Sequence, residues 1–312
     1  MRDDNGVPIM QRMKCLTLSG LALATLLAQG PAQARPDPQQ PMVASVLEQP
    51  DTGYGFTTRT LDSADGLRHY RLYIGRPEQP APTAGYPVVY LLDGNAAVGA
   101  LDQALLRRLN EGADAPLIVA IGSTTPLRID RPARTFDYTP RVTGDTQIDA
   151  PSGLPSGGAD QFLDLLDQRI KPLVEHAVPV DVKRQTLWGH SYGGLLVLHA
   201  LLTRPGAFQH YAAASPSLWW GNGAVLEPLD GLADRVGQSE VGLTLMRGDA
   251  EAAGPGGPTR STQAPGVAME RLLKGVSGVP GLRVEYHVFP GLGHGPMLPA
   301  SLHYIFENRV YR

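Results

Sequence analysis

Leu187-Trp188-Gly189-His190-Ser191-Tyr192-Gly193-Gly194 completes the G-x-S-x-G pattern of a nucleophile elbow, and its flanks decide the fold. Before it, Lys183 to Trp188 reads as a short strand; after it, Leu195 to Leu202 reads as a buried helix ended by Arg204-Pro205-Gly206. A sharp strand-to-helix turn lifts Ser191 above the sheet in a strained conformation, and side chains at 189 or 193 are expected to crowd the neighbouring strand and helix. The same turn aims the Tyr192 backbone N–H, near the start of the new helix, at an oxyanion forming on any carbonyl that Ser191 attacks.

Outward from the elbow, apolar runs of strand type alternate with helical patterns. Phe56 to Leu61 and Leu67 to Ile74, joined by Ser63-Ala64-Asp65-Gly66, predict an antiparallel pair leading into the sheet. Pro87 to Leu92 and Pro116 to Gly122 are continuous apolar runs, as in strands covered on both faces. A helix is expected between them from about Val98 to Asn110. From Ser123 to Ala159 no periodicity is visible, which predicts a long functional loop with a flexible second half, Pro151 to Gly158. Asp160 is expected to cap a helix reaching about Val178. Strands then follow at Phe208 to Ala214, Val241 to Arg247 and Leu282 to Phe289, with helices from about Thr262 to Val276 and Leu298 to Asn308. The pattern implies right-handed crossovers and an α/β architecture with a mostly parallel sheet and helices on both faces, its functional residues at the carboxyl ends of the strands.

At 312 residues, 42% hydrophobic and 18% charged, the chain can bury a sizeable core. Its first stretch stands apart. Arg12 and Lys14 precede the apolar run Leu16 to Ala28, and Ala32-Gln33-Ala34 is a small-x-small cleavage site, so residues 1–34 read as a secretory signal peptide. Residues 35–53 follow as a proline-rich leader, its Arg35 to Pro41 expected to be an extended and mobile spacer, and 54–312 as one globular domain. No run suits a stable membrane span. The single cysteine, Cys15, lies in the signal, so the mature chain can form no internal disulfide. Cleavage would take the net charge from −3 to −4, a balance that does not attract polyanions and argues against nucleic acid as a partner.

A serine hydroxyl needs a base within hydrogen-bond reach. His294, in the loop Pro290-Gly291-Leu292-Gly293-His294-Gly295 after the last strand, satisfies the chain order nucleophile, acid, histidine. His287 and His303 read as structural or surface residues, and His190 should be held by the elbow and point away from Ser191. The acid belongs in Gly248-Asp249-Ala250-Glu251, where either carboxylate could orient the imidazole. There is no H-E-x-x-H and no cysteine ligand set, so no metal site and no cofactor are indicated.

The elbow, with Tyr90-Leu91-Leu92-Asp93-Gly94-Asn95, Phe136-Asp137-Tyr138-Thr139-Pro140 and Ala213-Ala214-Ser215-Pro216-Ser217-Leu218-Trp219-Trp220, resembles the esterase D type of α/β-hydrolase. Within it, the chain is most similar to periplasmic trilactone esterases acting on catecholate siderophores of the enterobactin and salmochelin kind. The resemblance covers about residues 55 to 309. It implies Ser191 as nucleophile, His294 as base and an oxyanion hole from the N–H groups of Asn95 and Tyr192. A Gly-x-x-Asp/Glu pattern in relatives with a full triad favours Glu251 over Asp249, while other members work with a Ser-His dyad. It also implies a periplasmic enzyme, with secretion as the alternative, acting on a ferric or apo siderophore in iron acquisition. Arg128, Arg131 and Arg134 are expected to pair with catecholate oxygens, and Trp219 and Trp220 to pack on the catechols. The competing expectations are a general acyl or feruloyl esterase, and a binding protein on a hydrolase scaffold.

Overall fold

The computed structural model describes residues 39–144, 146–251 and 265–308. The expected signal peptide, the start of the leader and the Gly/Pro-rich stretch from 252 lie outside the described residues.

The sheet has eight strands: β1 Tyr54–Asp62, β2 His69–Pro77, β3 Tyr86–Leu91, β4 Leu117–Ser123, β5 Val180–His190, β6 His210–Ala214, β7 Val241–Gly248 and β8 Leu282–Phe289. Their spatial order is β1-β2-β4-β3-β5-β6-β7-β8. β1 and β2 pair antiparallel, β2 meets β4 antiparallel, and every later pairing is parallel. This is the open, mostly parallel sheet of an α/β-hydrolase. The helices are α1 Gly94–Val98, α2 Gln103–Glu111, α3 Arg131–Asp137, α4 Ala159–Leu165, α5 Lys171–Ala177, α6 Tyr192–Thr203, α7 Leu232–Val236, α8 Pro265–Val276 and α9 Met297–Asn308.

Every residue of β3 and β4 is buried, as their unbroken apolar runs require. Two clusters fill the two faces. One joins Phe162, Leu166, Leu196, Leu201 and Leu272 to β3, β4 and β5; the other joins Leu105, Leu106, Leu302 and Phe306 to the opposite face. α6 is apolar all round and buried from Tyr192 to Leu202, so the elbow is anchored on both sides of Ser191 by the centre of the core.

Several local expectations change. The helix expected from Val98 to Asn110 is two helices, because the chain breaks at Gly99 and restarts where the Asp102 side chain accepts from the Leu105 N–H at 2.7 Å. The loop after β4 contains α3, capped by Asp130, whose carboxylate accepts from the Ala133 N–H at 3.1 Å. Asp160 is not a cap: Gly158 occupies that position, and Asp160 meets His199 Nε2 at 2.9 Å. Between α4 and α5 the backbone widens into a π-turn, Leu166–Ile170, just before Pro172, whose ring and missing N–H do not suit a regular α-turn.

The stretch 151–158 is not loose either. Asp149 is buried, its backbone N–H donates to the Leu154 carbonyl at 2.8 Å, and the Gly157 N–H donates to Thr139 Oγ1 at 2.9 Å. Nor are the described residues of the expected spacer, 39–41, loose. Pro41 bridges Leu127, the Met42 N–H donates to Pro126 and the Arg128 N–H to Gln40, while Val46 is buried in the core.

Candidate active site

The carboxyl ends of β3, β5, β6, β7 and β8 deliver, in that spatial order, Asn95, Ser191, Ser215, Glu251 and His294. Ser191 has φ +62° and ψ −116°, a region that costs a non-glycine residue energy and persists only when the surroundings impose it. Its N–H donates to the Ala214 carbonyl at 2.9 Å, and its own carbonyl accepts from Leu195 at 2.9 Å. A Cβ at Gly189 would lie 2.5 Å from the Gly193 backbone, and one at Gly194 would lie 2.7 Å from the Ala214 carbonyl. Crowding at Gly193 does not occur: a Cβ there would meet nothing closer than 3.5 Å, so the second steric constraint falls on Gly194.

His294 Nε2 lies 3.0 Å from Ser191 Oγ, and His294 Nδ1 lies 3.1 Å from Glu251 Oε2. Glu251 Oε1 accepts from Ser215 Oγ at 2.6 Å and from the Gly248 N–H at 2.7 Å. Burial raises the Glu251 pKa, but the hydrogen bonds from His294, Ser215 and Gly248 outweigh it and leave the pKa below the ordinary glutamate value. The carboxylate is therefore ionised at neutral pH. Asp249 turns away and accepts from the Gly291 N–H at 2.6 Å. Of the two carboxylates, Glu251 is the one that meets the imidazole.

His190, adjacent to the nucleophile in sequence, packs on the ring of His294. Its ring centroid is 4.6 Å from that of His294, and its Nε2 donates to the His294 carbonyl oxygen at 2.9 Å. Burial, then the nearby charge of His294, pushes its pKa well below the ordinary histidine value. Ser215 and Ser217 carry no signal of their own in the sequence beyond the motif that contains them. Ser215 holds Glu251, and Ser217 Oγ is 3.4 Å from Ser191 Oγ.

Asn95 and Tyr192 occupy the first turns of α1 and α6, where N–H groups have no acceptor within the helix. The Asn95 side chain is buried, donating to the carbonyls of Thr125 and Leu127 and accepting from Tyr73 Oη. Its amide therefore serves to fix the loop, leaving the backbone N–H for chemistry.

The expected substrate contacts divide. Arg134 is engaged inside the protein, its Nε and Nη2 donating to the two carboxylate oxygens of Asp93 at 2.8 and 2.9 Å. Trp220 is a core residue whose Nε1 donates to Asp149 Oδ1 at 2.8 Å, and Tyr192 Oη donates to the same oxygen at 2.8 Å. Trp219 is half-buried against the Tyr192 ring. Arg131 is exposed and Arg128 half-buried, and Arg128 lines a groove with Asn95, Ile129 and Tyr138. Among the described residues no group of three or more His, Cys, Asp or Glu could hold a metal ion, and no helix is long and apolar enough to cross a membrane.

Fold and elbow together define an α/β-hydrolase with a serine relay. The family model "Putative esterase" matches residues 67–239. The chain is 38% identical over 289 residues to the apo-salmochelin esterase of Escherichia coli O6:H1, covering 90% of this chain and 87% of the relative. It is 34% identical to the ferri-bacillibactin esterase BesA of Bacillus subtilis, covering 78% and 86%. The solved structure of "Enterobactin and Salmochelin Hydrolase IroE" superposes with a TM-score of 0.67 at 35% identity, covering 86% of this chain and all of that one. The chain belongs to this esterase family and is a carboxylic-ester hydrolase.

Proposed function

We propose that the protein hydrolyses the lactone bonds of a catecholate siderophore, with Ser191 as nucleophile, His294 as general base and then acid, and Glu251 as the group that orients and stabilises the imidazolium. The observation that carries this reading is the relay Glu251–His294–Ser191, with separations of 3.1 and 3.0 Å, ending on a serine held at φ +62°.

Ser191 Oγ attacks the ester carbonyl as His294 Nε2 takes its proton. Negative charge then gathers on the carbonyl oxygen, where the N–H groups of Asn95 and Tyr192 donate to it. His294 returns the proton to the departing seryl alkoxide of the opened lactone. The acyl-enzyme is cleared by a water activated through the same imidazole. Ionised Glu251 stabilises the imidazolium in both halves of the cycle, which favours a triad over a dyad.

The names of the relatives support siderophore esters as the substrate class. Arg128 and Arg131 remain the candidate partners for catecholate oxygens, and Trp219 the candidate stacking surface. Arg128 lines the groove beside Asn95, and Arg131 is exposed at the start of α3. We further propose export by cleavage after Ala34 and action in the periplasm, with iron arriving only as part of the substrate. The test is purified mature protein given apo and ferric enterobactin-type trilactones beside p-nitrophenyl esters. Ring-opened products from the trilactones are expected at far higher kcat/KM than turnover of the simple esters, and the reverse preference would overturn the substrate assignment.

A further inference from the structure

The prolines of the leader suggest a spacer, yet the leader is built into the side of the molecule that carries Asn95. The Met42 N–H donates to the Pro126 carbonyl and the Arg128 N–H to the Gln40 carbonyl, each at 2.8 Å, and Pro41 is bridged antiparallel to Leu127 between them. Residues 125–128 thus form a short extended segment with both edges occupied. Successive carbonyls of an extended chain turn to opposite sides. Here the Pro126 carbonyl and the Arg128 N–H face the leader, while the carbonyls of Thr125 and Leu127 face the other way and accept from the Asn95 side-chain amide at 3.1 and 2.9 Å.

The leader is itself pinned to the core. Val46 is buried, and Met42, Ala44 and Leu47 pack against the cluster that contains Ala96, Ala97 and Val98 of α1. Tyr73 Oη lies 3.2 Å from both Met42 Sδ and Asn95 Oδ1. At the end of α1 the leader passes so close that a Cβ on Gly99 would lie 2.5 Å from the Val43 carbonyl oxygen. The segment held in this way ends on Arg128. Its half-buried side chain lines the groove with Asn95, Ile129 and Tyr138, and no described carboxylate pairs with it.

We propose that residues 40–42 are a positioning strap for substrate recognition: by pairing with residues 126–128 they hold the backbone of Arg128 beside Asn95, where its guanidinium takes the catechol oxygens of one substrate arm. This rests on the proposed siderophore ester as substrate and on Arg128 as a contact to it. An arginine on a loose loop must be ordered each time substrate binds, and that entropy is subtracted from affinity; one whose backbone is already fixed loses only side-chain freedom. The consequence falls on KM for a substrate with catechol arms. Attack by Ser191 depends on an elbow anchored separately by α6, and Asn95 belongs to α1, all of whose residues are buried.

The test uses the mature protein with two esters: an enterobactin-type trilactone, in whichever of its apo and ferric forms wild type turns over faster, and p-nitrophenyl acetate, which offers Arg128 no catechol. Met42→Pro removes the N–H that donates to Pro126. Its KM for the trilactone should rise about 10-fold, the scale of one hydrogen bond from a charged donor, with kcat and the kcat/KM for p-nitrophenyl acetate each within about threefold of wild type. Met42→Leu, which returns the N–H on a side chain of similar size, should restore the KM. In an Arg128→Ala background Met42→Pro should add nothing, because the strap acts through that residue. Equal losses on the two esters, or a KM effect that multiplies with that of Arg128→Ala, mark a merely structural segment and would overturn the proposal. Should Met42→Pro not fold, Gly99→Ala drives a Cβ against the Val43 carbonyl and should raise the same KM; a wild-type KM for the trilactone in that variant would overturn the proposal by itself. A wild type that leaves the trilactone intact sinks the substrate assignment and this proposal together. Turnover by wild type with an unchanged KM in Met42→Pro sinks this one alone.

Discussion

His190 Nε2 donates to the backbone carbonyl of His294 at 2.9 Å, so the residue beside the elbow serine ties down the loop that carries the imidazole partner of that serine. The ring that makes this bond is buried and lies tilted against that of His294, with the centroids 4.6 Å apart.

A pH dependence of stability follows. The folded-state pKa of His190 lies well below its unfolded value near 6.5. Above that value neither state carries the proton and there is no effect. As pH falls below it, the unfolded chain binds a proton that the folded chain refuses, and stability is lost. His190→Gln keeps an N–H for the His294 carbonyl but cannot titrate. Urea unfolding at pH 7 and pH 5 should show wild type losing more stability than the variant over that interval, and equal losses would contradict the assignment.

The two carboxylates after β7 predict opposite kinetic outcomes. Glu251→Gln replaces an ionised partner of the imidazolium with a neutral amide, and kcat should fall by up to about 10⁴-fold, as loss of such an orienter does in a serine protease. Asp249→Asn touches only the Gly291 N–H and should stay within about threefold, under roughly 0.7 kcal/mol of barrier. Steady-state kcat at one pH measures both. If both variants and their combination stay near wild type, the enzyme is a Ser191–His294 dyad.

The adjacent tryptophans should separate in the same way. Trp220→Phe deprives buried Asp149 of one of its donors, and thermal or urea unfolding should register a loss of about 1–3 kcal/mol. Trp219→Ala removes a half-buried ring and should raise KM for a catecholate trilactone while leaving the melting temperature nearly unchanged. Equal effects of the two on stability would contradict their different placement.

The strands, the elbow and His294 were legible because each rests on local signals: continuous apolar runs, a three-residue glycine and serine spacing, a glycine-rich loop after the last strand. What escaped was decided by partners far along the chain. Arg134 meets Asp93 at a separation of 41 residues and Trp220 meets Asp149 at 71, so nothing near either residue announces its partner. α3 was invisible because Arg131-Pro132-Ala133-Arg134-Thr135-Phe136-Asp137 has no apolar stripe; it is held by its Asp130 cap and by polar groups that find partners only in the folded chain, Asp137 with Tyr70 Oη at 2.8 Å among them. The prolines of 35–41 suggest a spacer, but backbone bridging of Pro41 to Leu127 needs no particular side chain and so leaves no mark in the sequence.

If the proposed function holds, Ser191 opens the ester bonds of a catecholate trilactone. Mass spectrometry of an apo enterobactin-type substrate incubated with wild type and with Ser191→Ala tests it most directly. Wild type should yield linear products that gain one water for each bond broken, and Ser191→Ala, equally folded, should leave the trilactone intact. Ring opening by the alanine variant at the wild-type rate would rule out Ser191 as the nucleophile, and none by wild type would rule out the trilactone as substrate.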